Sequence, residues 1–273
     1  MRLVIDSNQI SPFLKMTVPL EPRYVVHRIT LSPYIVAEVL LRPDSYGLLA
    51  HLRNFDIRYG LEPPEIMLRL AGHNESEISQ FKPFENSTER DSLSEMLVEK
   101  PAACVDWATA MKRENRKFGA LMFQLATRFR VKLRNERLFL RLNDMSEALQ
   151  LSFLPSVVLA SISNKSQRQL VVSNPDRLYS AVMDNSHLSR FFKTVLYFIV
   201  SYSRMWADQI HNFDASRSRD DWADITLPLY AEDGDVLVTA DKKLCNAIKM
   251  VDPRGDVKAR TTYELFRSDG IHD

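Results

Sequence analysis

The 273-residue chain is 45% hydrophobic and 26% charged. This composition is typical of a soluble globular protein and excludes a disordered tail protein, a collagen-like repeat and a small disulfide scaffold. Its 36 Lys and Arg residues nearly balance its 35 Asp and Glu residues, for a formal net charge of +1. Because phosphate-binding proteins usually carry excess Lys and Arg, only an uneven distribution of these charges would favour a nucleic-acid partner.

The cysteines and apolar stretches predict a cytoplasmic protein. Cys104 and Cys245 are the only cysteines, too few for a disulfide framework or a thiolate zinc site. Asp6 interrupts the N-terminal apolar run, so no signal peptide is expected. The most apolar later stretch, Phe191–Val200, falls well short of the roughly 20 residues that span a bilayer, so no membrane association is expected.

The N-terminal part begins with a β-branched run, Arg2–Ile5, which predicts a buried strand followed by the turn-forming cluster Asp6-Ser7-Asn8. A second strand is predicted at Tyr24–Leu31. The pair Ser32-Pro33 is typical of a helix N-cap and first turn, so a helix is predicted over Tyr34–Leu41.

The C-terminal part repeats this alternation. The turn Glu232–Asp235 precedes a β-branched run, Val236–Thr239, and Lys242–Met250 is predicted to be a helix with one apolar face. Strand, turn and helix at both ends of the chain are typical of an α/β fold with a parallel sheet flanked by helices.

The middle of the chain has few glycines and many helix formers, with proline stops such as Pro175. We therefore predict a mostly helical insertion at 62–209 between two halves of an α/β core, 1–61 and 210–273. Within it, Leu188–His211 is apolar around most of a helix, which favours a central helix over a dimer interface.

One basic stretch of the insertion has two interpretations. Arg128–Arg134 alternates basic and apolar residues, Asn135-Glu136 is compatible with a turn, and Arg137–Leu142 partly resumes the alternation. A β-hairpin with one basic face and a long basic helix continuing from Trp107 fit this pattern equally well.

The common nucleotide-binding and catalytic motifs are missing from the sequence. It contains no GxGxxG, GxxxxGK[ST], HExxH, GxSxG or paired CxxC motif, and the six histidines show no metal-ligand spacing.

What remains is a set of carboxylates beside apolar segments. Asp6 follows the first strand, Glu38 lies in the apolar N-terminal helix, and Asp241 follows the last apolar strand. Because the carboxyl ends of parallel strands border one crevice, Asp6 and Asp241 are expected to lie close together. Clustered carboxylates repel one another unless a cation lies between them, and Mg²⁺ and Mn²⁺ prefer oxygen ligands, so the pattern indicates a divalent-metal site.

In this order, the segments resemble the PIN-domain nucleases, the family that includes VapC-type toxin ribonucleases. The matching segments are Val4–Asn8, Thr30–Leu40, and Asp221 through Tyr230–Gly234 to Val236–Leu244. The resemblance covers the two ends of the chain, implies a PIN-like core, and leaves the insertion outside the match.

By this resemblance, Asp6, Glu38 and Asp241 would be catalytic acids that bind Mg²⁺ or Mn²⁺, and Asn8 and Thr239 would orient the ligands or bind metal-bound water. The implied chemistry is metal-assisted phosphodiester hydrolysis.

The resemblance also implies a further acid at the start of the helix that precedes Gly234. Asp224 is favoured as this catalytic and metal-binding acid, followed by Asp221 and then Asp220. Pro228 conflicts with a helix that begins at Asp224, because proline removes a backbone hydrogen bond and clashes with the preceding turn.

Each of these acids also has a purely structural interpretation. The cluster Asp6-Ser7-Asn8 would be a turn and cap, Glu38 an exposed helix residue, and Asp221, Asp224 and Asp241 helix N-caps.

Positive charge is concentrated in the insertion. Between Lys112 and Arg141 there are ten Lys and Arg residues and two Glu residues, and 10 − 2 leaves +8. Interleaved phenylalanines would allow stacking on bases as well as phosphate contact, although a solvated basic face over core aromatics fits equally well. The candidate nucleic-acid contacts are Lys112, Arg113, Arg116, Lys117, Arg128, Arg130, Lys132 and Arg134.

These features predict a divalent-metal-dependent endoribonuclease that hydrolyses RNA. Two alternatives stay open: a catalytically degenerate PIN-like module that binds nucleic acid or protein, and a DNA-directed nuclease or metal-dependent phosphatase with the same carboxylates. An inhibitory protein partner, a homodimer, and a role as toxin, in RNA processing or in phage defence are also left open.

Overall fold

The structure, a computed structural model, forms two compact units, one of residues 1–61, 88–113 and 230–273 and one of residues 62–87 and 114–229. It describes residues 2–17, 28–42, 55–59, 63–74, 104–120, 169, 175–184, 186–208 and 221–268. The sequence-based boundaries of the core halves and the insertion stay a prediction.

The described residues form strands and helices that alternate at both ends of the chain. The strands are β1 (Arg2–Ile5), β2 (Arg28–Leu31), β3 (Asp56–Tyr59), β4 (Val236–Val238) and β5 (Lys258–Arg260). The helices are α1 (Ser7–Thr17), α2 (Pro33–Leu40), α3 (Pro63–Leu70), α4 (104–120), α5 (Pro175–Asp184), α6 (Ser186–Asp208), α7 (Asp221–Thr226), α8 (Lys242–Val251) and α9 (Thr262–Ser268).

The first unit contains a parallel sheet with the strand order β3-β2-β1-β4-β5. Val4 of β1 is paired with Thr30 of β2 on one side and with Leu237 of β4 on the other. Leu3, Val4 and Ile5 are fully buried, as a central parallel strand with both faces covered requires. The predicted α/β class with a parallel sheet flanked by helices is therefore confirmed.

The predicted elements that carry the acids are largely confirmed. Ser32 caps α2, accepting a hydrogen bond from the Ile35 backbone N–H at 3.2 Å, and Pro33 is the first residue of that helix. Strand β4 and helix α8 lie where β-branched residues and one apolar face predicted them. Of the predicted second strand, 28–31 is a strand and 24–27 lies outside the described residues.

Helix α1 was not predicted from the sequence, and one proline was assigned the wrong role. Ser7 of the turn-forming cluster Asp6-Ser7-Asn8 is the first residue of α1, and Asp6 directly precedes that helix. Pro12 lies inside that helix and disturbs the helical pattern in the sequence, since proline rarely occupies a helix interior. Pro175, predicted to be a stop, is the first residue of α5, a position where its missing N–H removes no helical bond.

The described part of the second unit is helical. Helix α6 is its longest described helix, and Phe191, Val195 and Ile199 are fully buried along it. This burial agrees with the interpretation of Leu188–His211 as a central helix. The basic stretch at 128–142, with its two interpretations, lies outside the described residues, and within the described ranges no helix is long and apolar enough to cross a membrane.

The first turn of α1 is tied to α9 by a buried side chain. Gln9 Oε1 accepts hydrogen bonds from the Thr262 backbone N–H at 2.9 Å and from the Thr262 hydroxyl at 3.0 Å. Gln9 and Thr262 are both buried, so these donors depend on this acceptor. This contact fixes the start of the helix that follows Asp6.

Replacing Gln9 by Ala is expected to destabilise the protein by about 2–3 kcal/mol, because two buried donors lose their acceptor. Chemical denaturation measures the change. Ser11→Ala, a partly exposed site in the same helix, is the control and is expected to change stability by less than about 0.5 kcal/mol. Equal effects of the two substitutions would contradict this interpretation.

Candidate functional site

The strand order creates a switch point in the sheet. From β1 the chain adds β2 and β3 on one side, whereas β4 and β5 lie on the other side. In open α/β sheets, ligands bind outside the carboxyl ends of the strands where the strand order reverses, which here is between β1 and β4. Asp6 directly follows β1, and Thr239 directly follows β4.

Asp6 is a buried carboxylate at this edge, with only 1% of its surface exposed. Its backbone N–H donates to the Val238 carbonyl at 2.9 Å, which continues the pairing of β1 with β4. The Thr239 hydroxyl donates to Asp6 Oδ2 at 2.7 Å, and the backbone N–H groups of Ser7 and Asn8 also donate to the carboxylate. Asp6 is therefore held rigidly at the N-terminus of α1.

The electrostatic environment of Asp6 opposes its ionisation. Burial, the largest effect, raises the pKa of Asp6 above its usual value, and the negative charge of Asp241 raises the pKa further. The hydrogen bonds from Thr239, Asn8 and Ser7 lower this pKa, but burial outweighs them. A cation between the two carboxylates would relieve both the burial cost and the repulsion.

Asp241 lies on the other side of Thr239. Its backbone N–H donates to Thr239 Oγ1 at 3.0 Å, so the threonine hydroxyl joins Asp6 and Asp241. Asp241 is also the N-cap of α8, where Oδ1 accepts from the Leu244 backbone N–H at 2.6 Å. The structural interpretation of Asp241 as an N-cap is thus confirmed, and it does not exclude metal binding, because a carboxylate has two oxygens and about four acceptor sites.

Glu38 is joined to the same corner through Ser7. The other residues of α2 are buried, whereas Glu38 is half-buried, and the Ser7 hydroxyl donates to Glu38 Oε2 at 2.5 Å. Asn8 is exposed, and its Oδ1 accepts from the Ala240 backbone N–H at 3.4 Å. The structure therefore brings the predicted residues Asp6, Asn8, Glu38, Thr239 and Asp241 to one edge of the sheet.

The donor set suits a hard cation held by few protein ligands. Among the residues that the structure describes, no three Asp, Glu, His or Cys side chains form a group that could hold a metal ion. Mg²⁺, however, is usually bound by one or two carboxylates together with waters and substrate phosphates. Asp6 and Asp241, linked by Thr239, fit that mode of binding.

The second unit contains the candidates for the further acid. Asp221 is the first residue of α7, and its Oδ2 accepts from the Tyr202 hydroxyl at 2.5 Å. Asp224 lies one turn into the same helix, and Asp220 lies outside the described residues. Pro228 belongs to a 3₁₀ turn, Leu227–Tyr230, after α7 has ended, so the predicted conflict with a helix at this position does not arise.

Two residues that sequence reasoning missed hold α7 within the second unit. Asn115 is buried, and its Oδ1 accepts from the Ala223 backbone N–H at 2.9 Å. One turn later, Phe118 packs against Trp222 with ring centroids 5.2 Å apart. A sequence signal for this contact exists. Asn115 lies four residues after Met111 and therefore on the same face of α4, and both residues are buried, so a polar side chain on this apolar face needs a hydrogen-bond partner.

The described basic candidates lie on α4, and all four side chains are exposed: Lys112, Arg113, Arg116 and Lys117. Arg113 and Arg116 are three residues apart, and each of the pairs Lys112–Arg116 and Arg113–Lys117 is four apart, which places these side chains along one side of the helix. The other four candidates, Arg128, Arg130, Lys132 and Arg134, lie outside the described residues.

Neither sequence nor structure comparison adds a relative. No family model, curated protein or solved structure matches the chain.

Proposed function

We propose that this protein is a divalent-metal-dependent nuclease that hydrolyses RNA phosphodiester bonds at the edge formed by the ends of β1 and β4. One observation carries this proposal: the buried carboxylate of Asp6 lies at the switch point of the sheet and is joined to Asp241 by the Thr239 hydroxyl. A rigid, partly desolvated pair of carboxylates at such a position is expensive for a purely structural role.

In this proposal, each residue at the edge has a defined task. Asp6 and Asp241 hold Mg²⁺ or Mn²⁺, and the Thr239 hydroxyl joins the Asp6 carboxylate to the Asp241 backbone. A bound cation supplies stabilisation of the negative charge that develops on the phosphate and lowers the pKa of a water. Glu38 completes the negative charge of the site, and the exposed Asn8 amide is available to a phosphate oxygen or a water.

The basic face of α4 supports a polymeric substrate. Contacts of Lys and Arg with phosphates are independent of sequence, as a nuclease that tracks the backbone requires. We propose RNA as the polymer, in agreement with the resemblance to VapC-type ribonucleases. The contribution of Asp224 or Asp221 as a further acid stays a prediction.

The proposal is tested by incubating the purified protein with structured RNAs and matched DNA strands in Mn²⁺ or Mg²⁺. We expect cleavage of RNA that stops when the cation is chelated and resumes when it is restored. Cleavage of DNA at an equal rate would support the DNA-directed alternative. No cleavage of any RNA under these conditions would overturn the proposal.

A second candidate is a degenerate scaffold that binds nucleic acid or protein without cutting. The observation in its favour is that the described residues contain no group of three metal-ligating side chains, while Asp241 already caps α8. Calorimetric titration with Mn²⁺ separates the two candidates. Binding by the wild type that Asp241→Asn abolishes supports the nuclease, whereas absence of binding supports the degenerate scaffold.

Replacing the exposed basic residues of α4 is expected to weaken the binding of single-stranded RNA and to make that binding less dependent on salt. Each lost phosphate contact lowers the slope of log K against log[salt] by about 0.7, so four substitutions lower it by up to roughly 3. The variant replaces Lys112, Arg113, Arg116 and Lys117 by Gln, and fluorescence anisotropy in chelator measures affinity between about 50 and 200 mM salt.

The matched control replaces four other exposed basic residues by Gln. These residues are Lys15, Lys249, Arg254 and Lys258. Both variants lose the same total charge. If the α4 residues contact phosphates directly, the slope of log K against log[salt] falls far more in the α4 variant than in the control. An equal loss would show that the binding depends on total charge.

A further inference from the structure

Arg42 follows the C-cap of α2, and its side chain reaches the start of α1. The guanidinium Nη2 donates to the Ser7 carbonyl at 3.0 Å. Because Ser7 directly follows Asp6 and is the first residue of α1, this contact brings a positive charge to the end of β1. Sequence reasoning assigned Arg42 no role.

The Ser7 carbonyl does not depend on Arg42 for a hydrogen bond. In an α-helix, the carbonyl of the first residue accepts from the backbone N–H four residues later, which here belongs to Ser11. Pro12 lies one position further on, so its missing N–H leaves this bond intact. The hydrogen bond from Arg42 is therefore additional to the helical one, and satisfying a buried carbonyl does not explain it.

The Arg42 guanidinium has donors to spare and no carboxylate partner within the described ranges. A guanidinium carries five N–H donors, and the structure shows one of them bonded to Ser7. Among the described residues, no Asp or Glu side chain forms an ion pair with Arg42. The side chain is half-buried, and charges removed from water are usually paired. An anion from outside the chain would supply the missing partner.

The edge at the end of β1 is otherwise acidic. Asp6 and Asp241 lie there, and Glu38 is joined to the same corner by the Ser7 hydroxyl. Like charges brought together are costly, so these carboxylates repel a phosphodiester that approaches the edge. Arg42 offsets part of this repulsion, and its planar fork matches the geometry of a phosphate group.

We infer that Arg42 is a substrate-binding residue whose guanidinium contacts a backbone phosphate of the RNA beside Asp6. The inference rests on the proposed function and names a group that binds its substrate. The Ser7 carbonyl holds the guanidinium in place before the RNA arrives, which lowers the side-chain entropy lost on binding. A contact made equally with substrate and transition state lowers KM and leaves kcat unchanged.

The first test is the steady-state cleavage of one RNA by the full chain in Mn²⁺. Arg42→Gln is expected to raise KM by about 10–100-fold, the usual effect of losing a hydrogen bond to a charged group. Its kcat is expected to stay within about threefold of the wild type. Arg254→Gln, which removes an exposed arginine elsewhere in the same unit, is the control and keeps the wild-type KM. A wild-type KM in Arg42→Gln would overturn the inference.

The second test needs no catalysis. Fluorescence anisotropy in chelator measures the binding of a single-stranded RNA between about 50 and 200 mM salt. One lost phosphate contact lowers the slope of log K against log[salt] by about 0.7, so Arg42→Gln is expected to show this loss. Arg42→Lys keeps the charge and is expected to keep the slope, but it binds more weakly because the planar fork is gone. Equal slopes in Arg42→Gln and the wild type would overturn the inference.

The two tests distinguish this inference from the proposed function. A wild type that cleaves no RNA, combined with the expected loss of slope in Arg42→Gln, removes the proposed hydrolysis and leaves Arg42 as an RNA-binding residue. A wild type that cleaves RNA with a KM and a slope insensitive to Arg42→Gln removes the inference alone. If Arg42→Gln does not fold, Arg42→Lys is used instead, and a wild-type KM in that variant would overturn the inference.

Discussion

Asp6→Asn is expected to reduce Mn²⁺-dependent RNA cleavage by at least about 100-fold. Removal of an outer partner of a metal ligand typically costs 10–100-fold, and loss of a ligand carboxylate should cost more. The amide oxygen of Asn can still accept the Thr239 hydrogen bond, so the backbone and the helix start are preserved while the negative charge is removed. Initial rates of cleavage of one RNA substrate measure the effect.

Asp256→Asn is the matched control for this experiment. Asp256 is an exposed carboxylate of the same unit, and the substitution changes the charge of the protein by the same amount. It is expected to retain wild-type activity. If Asp6→Asn and wild type cleave RNA at the same rate, the catalytic role of the edge between β1 and β4 is wrong.

Asp6→Asn is also expected to stabilise the metal-free protein at neutral pH. Because burial and Asp241 raise the pKa of Asp6 in the folded state, ionisation of Asp6 opposes folding. The wild type therefore loses stability as the pH rises from the unfolded-state pKa through the raised folded-state pKa, and the Asn variant does not. A gain of about 0.5–2 kcal/mol is common for a single stabilising substitution.

Thermal unfolding in chelator as a function of pH measures this difference. The Asn variant should gain on the wild type across the titration of Asp6 and keep a constant advantage above it. Saturating Mn²⁺, at about 100 times its dissociation constant, should then stabilise the wild type by about 2.7 kcal/mol and leave the variant unchanged. A variant that is less stable than the wild type in chelator at neutral pH would contradict the assigned electrostatics.

The sequence predicted the central strands of the fold because their patterns are local. The β-branched runs of β1 and β4, and the cap Ser32 with Pro33, need no tertiary information to be recognised. The edge strands β3 and β5 were not predicted. Each is only three or four residues long and carries charged side chains, as sheet edges often do, so their pairing depends on neighbours distant in sequence.

The position of Asp6 and Asp241 at one edge of the sheet was predicted from the sequence, but the hydrogen bonds around them were not. The rule that carboxyl ends of parallel strands meet at one edge was sufficient to pair Asp6 with Asp241. The hydroxyl bridges through Thr239 and Ser7 depend on side-chain geometry between strands and helices distant in the chain. The tie between Gln9 and Thr262 is likewise invisible in a local pattern.

The most direct test of the central claim is a crystal structure of the wild type grown with Mn²⁺, with anomalous data collected to locate the ion. We expect one Mn²⁺ at the edge between β1 and β4, bound by carboxylate oxygens of both Asp6 and Asp241 at about 2.0–2.2 Å, the range typical of small divalent cations. Mn²⁺ bound elsewhere, or absent from this edge at saturating concentration, would contradict the account.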